Sequence, residues 1–133
     1  MDANALLGKR LLVVDDNDPS RDLMKTILTA AGATVDEAAN GEQAVAASMK
    51  TRYDAALMDI QMPLLDGMEV TALIRAHEAE TGAPHTIIIA VTAHAMAEHR
   101  QRCLDAGMDA VITKPIDPLG VIDQVSALLA PAE

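Results

Sequence analysis

Five polar residues stand at or just beyond the ends of short apolar runs in this chain. Asp15 and Asp16 follow residues 11–14, Asp59 follows residues 55–58, Thr92 follows residues 87–91, and Lys114 lies two residues beyond Ile112. Carboxylate oxygens are hard ligands that suit Mg²⁺, a cation that keeps several waters and binds alongside phosphate oxygens. A carboxylate can also act as the nucleophile and become an aspartyl phosphate. Metal and lysine then offset the charge on the transferring group, while a threonine hydroxyl donates to one of its oxygens. One aspartate after a strand is usually a turn residue or a helix cap. Complementary groups at four strand ends together point instead to a phosphoryl-transfer site, with Asp59 as the acceptor.

The elements that must bring these groups together are legible as apolar runs alternating with amphipathic stretches, five times over. Residues 11–14 are unbroken and apolar, as in a strand covered on both faces. Asp18 and Pro19 predict a helix start, an N-cap with proline at the first helical position. Leu23, Met24, Ile27, Leu28 and Ala31 recur at helical spacing, and Gly32 ends that helix. A weaker strand spans residues 34–37, and Asn40 with Gln43 resembles a capping box opening a second helix. The third strand, 55–58, runs into Asp59 and then through Pro63 to Asp66 and Gly67, where Asp66 and Glu69 can cap a third helix. Residues 87–91 form the most β-branched strand, followed by a helix from about Ala95 to Gly107. Val111 and Ile112 make a short fifth strand. Asp117-Pro118 repeats the cap-plus-proline start, and Ile122, Val125, Leu128 and Leu129 give the last helix its apolar face. Five such units predict an α/β fold, a parallel sheet with helices on both sides. Ligands of open parallel sheets sit at the carboxyl ends of the strands, where the five polar residues lie.

The chain of 133 residues fits a single domain over 1–133, with a core at about 9–129 and frayed termini. Half of it is apolar, yet Tyr53 is the only aromatic residue, so the core must be aliphatic. Lys and Arg number 10 against 20 Asp and Glu, a formal charge of −10. Such a surface repels a phosphate backbone or an anionic membrane, and the lack of aromatics leaves little for base stacking. No nucleic-acid or membrane partner is expected. Cys103 is alone, which excludes an internal disulfide and reads as a packed thiol. The first residues have neither a basic nor an apolar signal region, and the longest apolar run, 87–91, is far too short to span a bilayer. A cytoplasmic protein is expected.

With these residues in place, the chain resembles a response-regulator receiver domain (CheY-like) from about Lys9 to Leu129. The matching stretches are Leu12-Val13-Val14-Asp15-Asp16-Asn17, Leu57-Met58-Asp59-Ile60-Gln61-Met62-Pro63, Asp66-Gly67, Val91-Thr92-Ala93 and Thr113-Lys114-Pro115. The resemblance implies a doubly wound, flavodoxin-like (βα)5 fold with strand order 2-1-3-4-5. It implies that Asp16 and Asp59 ligate Mg²⁺ directly with the backbone carbonyl of Gln61, and that Asp15 acts mainly through a metal-bound water. Asp59 would take a phosphoryl group from a phosphohistidine of a histidine kinase or histidine phosphotransfer protein. Thr92 would bond the phosphoryl group and Lys114 would pair with it. The Lys114-Pro115 bond is expected to be cis, and Gly67 would allow a tight backbone path into the third helix. Gln61 and His94 occupy positions that tune loss of the phosphoryl group through water access. Val111 departs from the pattern. The family often has Tyr or Phe there, an aromatic that reports phosphorylation by changing rotamer, and Val is too small for that movement.

Other residues read more plainly. His77, His85, His94 and His99 have no metal-site spacing, so most are expected at the surface. The eight Met residues suit an aliphatic core or a partner-facing surface. Arg21 and Lys25 lie on a helix face that receivers commonly present to kinases or phosphotransfer domains. The expectation is a phosphorylation-controlled module, monomeric or weakly dimeric, without an output domain and without catalysis beyond its own phosphotransfer and self-dephosphorylation. Leu7-Gly8-Lys9-Arg10, Asn17 and residues 92–96 look more like receivers of hybrid histidine kinases than stand-alone regulators. A haloacid-dehalogenase-type phosphatase would need a second Asp where Gln61 stands. A flavodoxin-like carrier would need a phosphate-cradling loop in place of Asp15-Asp16. A degenerate receiver working by contacts alone would not need the complete acidic pocket.

Overall fold

The computed structural model describes residues 5–60, 62, 65–93 and 96–129. Ten elements alternate along the chain: β1 (Arg10–Val14), α1 (Asp18–Ala30), β2 (Thr34–Ala38), α2 (Gly41–Lys50), β3 (Ala55–Asp59), α3 (Gly67–Thr81), β4 (Ile87–Thr92), α4 (Ala97–Asp105), β5 (Ala110–Thr113) and α5 (Pro118–Leu129). The strands form one parallel sheet in the order β2-β1-β3-β4-β5. The order in which strands are added reverses between β1 and β3, which puts the carboxyl ends of the central strands beside the crevice that such sheets offer to ligands.

Strand alternation sends successive side chains to opposite faces. Leu11, Val13, Ala55, Leu57, Ile89 and Val91 pack with Met24 and Leu28 of α1 and Val121 and Val125 of α5. Leu12, Val14, Ala56, Met58, Ile88 and Ala90 pack with Ala44 of α2, Val70 and Ile74 of α3, and Cys103 of α4. Both layers are aliphatic apart from Tyr53, which is buried and donates its hydroxyl to Asp36 Oδ2 at 2.7 Å. Burial and that carboxylate push the Tyr53 pKa up to about 12. The same bond, with Arg10, holds Asp36 below the usual carboxylate range. The first apolar layer extends upstream of β1, where Leu6 is fully buried and its N–H donates to the Ala31 carbonyl at 2.9 Å.

Several helix starts differ from the sequence expectation. The N-cap of α1 is Asn17, whose side chain accepts from the Ser20 N–H at 2.9 Å, and Asp18 is already helical. Either side chain is a good cap, and Asp18 instead pairs with Arg21 at 2.6 Å. Leu23 keeps the helical spacing but is 52% exposed, because Met24, Ile27 and Leu28 fill the seam against the sheet. Asn40 caps α2, although the Gln43 side chain returns to the Ala39 N–H rather than to Asn40. The Asp66–Glu69 capping box of α3 is complete in both directions. Helix α4 begins at Ala97 instead of about Ala95 and has no side-chain cap at Met96.

Candidate functional site

The carboxyl ends of β1 and β3 bring Asp15, Asp16 and Asp59 together. One carboxylate oxygen from each lies within 4.8 Å of the other two. Asp15 and Asp59 are 7% and 8% exposed, whereas Asp16 is open to solvent. Asp15 is held by its neighbours: its N–H donates to the Ala38 carbonyl, and its Oδ1 accepts from the Asn17 N–H at 2.8 Å. Beneath Asp15 and Asp59, residues such as Val13, Met24, Leu57, Val91 and Ile116 enclose about 10 Å³, room for one water and no substrate. A reacting group must therefore reach these carboxylates from outside.

Lys114, just past β5, places its Nζ 4.0 Å from Asp59 Oδ1. Its N–H donates to the Thr92 carbonyl at 2.7 Å, which locks the loop after β5 to the end of β4. The Lys114-Pro115 peptide is cis. One ammonium beside three crowded carboxylates leaves the cluster short of positive charge, and hard oxygens at this spacing suit a small divalent cation. Gly67 matters through space rather than through backbone angle. A Cβ there would lie 2.8 Å from the Asp59 carbonyl oxygen and 3.1 Å from Ile60 Cα, so only glycine lets α3 start directly against the Asp59 backbone.

Thr92 is 2% exposed and its Oγ1 lies 3.2 Å from His99 Nε2 in α4. Sequence reading expected most of the histidines at the surface and gave His99 no role, but it is half-buried and lies against Thr92. No helical or strand spacing marks the pair, because the turn between β4 and α4 decides whether they meet. His99 Nε2 also approaches Cys103 Sγ at 3.9 Å. Cys103 is fully buried, and burial pushes its thiol up, consistent with a packing role. Arg21 is less available to a partner than its helix position suggested. Its guanidinium bonds the Asp15 carbonyl and pairs with Asp18 and Glu37. The Asp18 bond holds its pKa above the ordinary arginine value. Lys25 pairs with Glu37 at 3.3 Å.

Val111 sits beside Ala90 in the sheet and is buried on the α4 face. It also lines a groove of about 600 Å³ with Arg100, Thr113, Pro115 and Gln124. Tyr53 and Asp36 lie toward the β2 edge, opposite the β5 edge that carries Val111. Gln61, Pro63 and His94 lie outside the described residues. No described helix is long and apolar enough to cross a membrane.

Comparison with known proteins agrees with this fold. A family model described as "Response regulator receiver domain" matches residues 11–126. Hybrid signal transduction histidine kinase I of Dictyostelium discoideum is 42% identical over 118 residues, covering 85% of this chain and 7% of that protein. Sensor protein GacS of Pseudomonas syringae pv. syringae is 45% identical over 107 residues, covering 80% of this chain and 12% of that protein. The chain thus spans a small part of these curated relatives. Among solved structures, the receiver domain of a Pseudomonas aeruginosa sensor histidine kinase superposes with a TM-score of 0.82 and 35% identity. The match covers 92% of this chain and 98% of that one, a structure described with a magnesium ion coordinated in its active site cleft.

Proposed function

This chain belongs to the response regulator receiver domain family, a signalling module of two-component phosphorelays, and from that premise we propose that Asp59 is its phosphoryl acceptor. An Asp59 carboxylate oxygen attacks the phosphorus of a phosphohistidine on a histidine kinase or histidine phosphotransfer protein. The new O–P bond forms as the P–N bond breaks, and the imidazole leaves. The observation that carries this reading is the carboxylate cluster within 4.8 Å, with the Lys114 ammonium 4.0 Å from Asp59.

Asp16, Asp59 and the Gln61 carbonyl are the residues proposed to hold Mg²⁺, with Asp15 one step further out. The ion supplies charge neutralisation for the carboxylates and the transferring group. Lys114 pairs with the phosphoryl oxygens, and Thr92 donates its hydroxyl to one of them. Gly67 keeps the backbone of Asp59 in place, and Pro115 directs the chain at Lys114. Gln61 and His94 govern water access and hence the rate of self-dephosphorylation. Val111 occupies the aromatic-switch position without an aromatic to move. The module acts in the cytoplasm through protein contacts, and kinship with hybrid kinases supports a phosphotransfer protein as donor or recipient.

Acetyl phosphate with Mg²⁺ should add one phosphoryl group to the protein, read by intact-mass spectrometry, and Asp59→Asn should abolish it. An undiminished adduct on the variant would remove Asp59 from its role. Phosphotransfer profiling against purified kinases and phosphotransfer proteins then identifies the partner.

A further inference from the structure

We propose that His99 is the positioning residue that holds Thr92 before phosphorylation and reports its departure afterwards. This rests on the reading of Asp59 as phosphoryl acceptor. The two residues lie on opposite faces of the sheet. Thr92 continues the alternation of Ile88 and Ala90, the face covered by α2, α3 and α4, while Asp59 continues that of Ala55 and Leu57, covered by α1 and α5. The Thr92 hydroxyl therefore has to pass the end of the strand to reach a phosphoryl group on Asp59. Here it lies 3.2 Å from His99 Nε2, on the α4 side. Either ring tautomer makes one hydrogen bond with a hydroxyl, so the contact needs no particular protonation state.

A phosphoryl oxygen is a charged acceptor, and bonds to charged acceptors are about twice as strong as neutral ones. Phosphorylated Asp59 accordingly wins the hydroxyl from His99. The imidazole that has lost Thr92 has space beside it. It lines a hollow of about 360 Å³ with Ile60, Asp66, Met68, Met96 and Arg102, between the starts of α3 and α4. The start of α4 is also lightly anchored, since Met96 is 70% exposed and supplies no side-chain cap. Phosphorylation at Asp59 is thereby passed through Thr92 and His99 to the first turn of α4, a route that does not use Val111.

The test uses beryllium fluoride with Mg²⁺, a stable analogue of the phosphoryl group, bound to the whole chain. His99→Leu removes one competing bond and should tighten binding by about three- to tenfold, the equilibrium counterpart of one ordinary hydrogen bond. His99→Gln can still bond the hydroxyl and should keep wild-type affinity. In the wild type, the His99 ring ¹⁵N resonances should shift on binding, and Thr92→Val should abolish that response. Equal affinity of His99→Leu and wild type, or unmoved ring resonances, overturns the proposal while leaving Asp59 as acceptor. Should His99→Leu fail to fold, the resonances and His99→Gln still decide. A wild type that neither binds the analogue nor reacts with acetyl phosphate overturns both readings.

Discussion

Asp59→Asn should make the metal-free protein more stable, although it removes the proposed acceptor. The substitution keeps the side-chain shape and an acceptor oxygen and removes one negative charge. Among the described residues, two repulsions vanish, each between groups no more than 4.8 Å apart, and the attraction to Lys114 at 4.0 Å is lost. Coulomb's law at these distances assigns each repulsion about 0.9 kcal/mol in bulk water and about 3.5 kcal/mol at an effective dielectric of about 20. The lost attraction is worth about 1 to 4 kcal/mol over the same range. The balance is a gain of about 0.7–3 kcal/mol, because two repulsions outweigh one slightly closer attraction. Removing a buried charge acts in the same direction. For a domain of this size the gain corresponds to a rise of about 3–10 °C in melting temperature. Thermal melts in chelator and in saturating Mg²⁺ provide the assay. The variant should melt higher than wild type in chelator, the gap should shrink at high salt, and Mg²⁺ should stabilise wild type far more than the variant. An Asp59→Asn protein that melts below wild type in chelator would refute the crowded-carboxylate account.

Asp16→Asn should likewise raise the metal-free melting temperature and weaken Mg²⁺ binding by calorimetry; a destabilised metal-free variant counts against the cluster. Gly67→Ala sets a Cβ 2.8 Å from the Asp59 carbonyl oxygen, backbone that cannot rotate aside. It should cost about 1–3 kcal/mol in denaturant melts and slow phosphorylation by acetyl phosphate. Tyr53→Phe should cost about 1 kcal/mol near neutral pH, a modest figure because Asp36 is partly solvated. Asp36 titrates below its unfolded value, so its contribution holds above about pH 4 and fades in acid. Tyr53 titrates near 12 against about 10 unfolded, so its contribution holds below about pH 10 and fades as pH rises toward 12. The gap between wild type and variant should close at both extremes, and a pH-independent gap would reject the pairing. Val111→Ala should leave the rate of adduct formation within about twofold while costing about 1–3 kcal/mol of stability. A large rate change would couple this position to the chemistry.

The site and the fold were legible for one shared reason: in a parallel sheet the apolar runs end where the chemistry begins. Unbroken runs such as 11–14 and 87–91 mark strands covered on both faces, so the polar residue that ends each run also marks the functional edge. Asp66 and Glu69 were legible because a capping box is local, closing within four residues. Misreadings came where two neighbours could do the same job, as Asn17 and Asp18 at the start of α1. Leu23 satisfies helical periodicity, yet the wedge between α1 and the sheet is filled by Met24, Ile27 and Leu28. His99 was hidden for a different reason. Its meeting with Thr92 depends on the path of the turn between β4 and α4, which no periodicity encodes. Gly67 was expected to allow a tight backbone path into α3, and the path is tight because the Asp59 carbonyl oxygen lies 2.8 Å from where a Cβ would stand.

Strand parity separates the proposed acceptor from the proposed readout. Asp15 and Asp59 belong to the α1 and α5 side, where the space beside them holds no more than a water and a phosphoryl donor would have to come from solvent past the exposed Asp16. Thr92 and Val111 belong to the α4 side, and neither Val111 nor Tyr53 can carry a signal across. Val111 has too little reach, and Tyr53 is committed to Asp36 toward the opposite edge. Among the described residues, what could join the two sides is a group at the very end of a strand, small enough to pass the edge and able to bond on either face. Thr92 meets both conditions. It should therefore be the residue whose loss uncouples α4 from phosphorylation without removing the acceptor. If Thr92→Val still shows the wild-type response of α4 amides to beryllium fluoride, the signal crosses the sheet by another route.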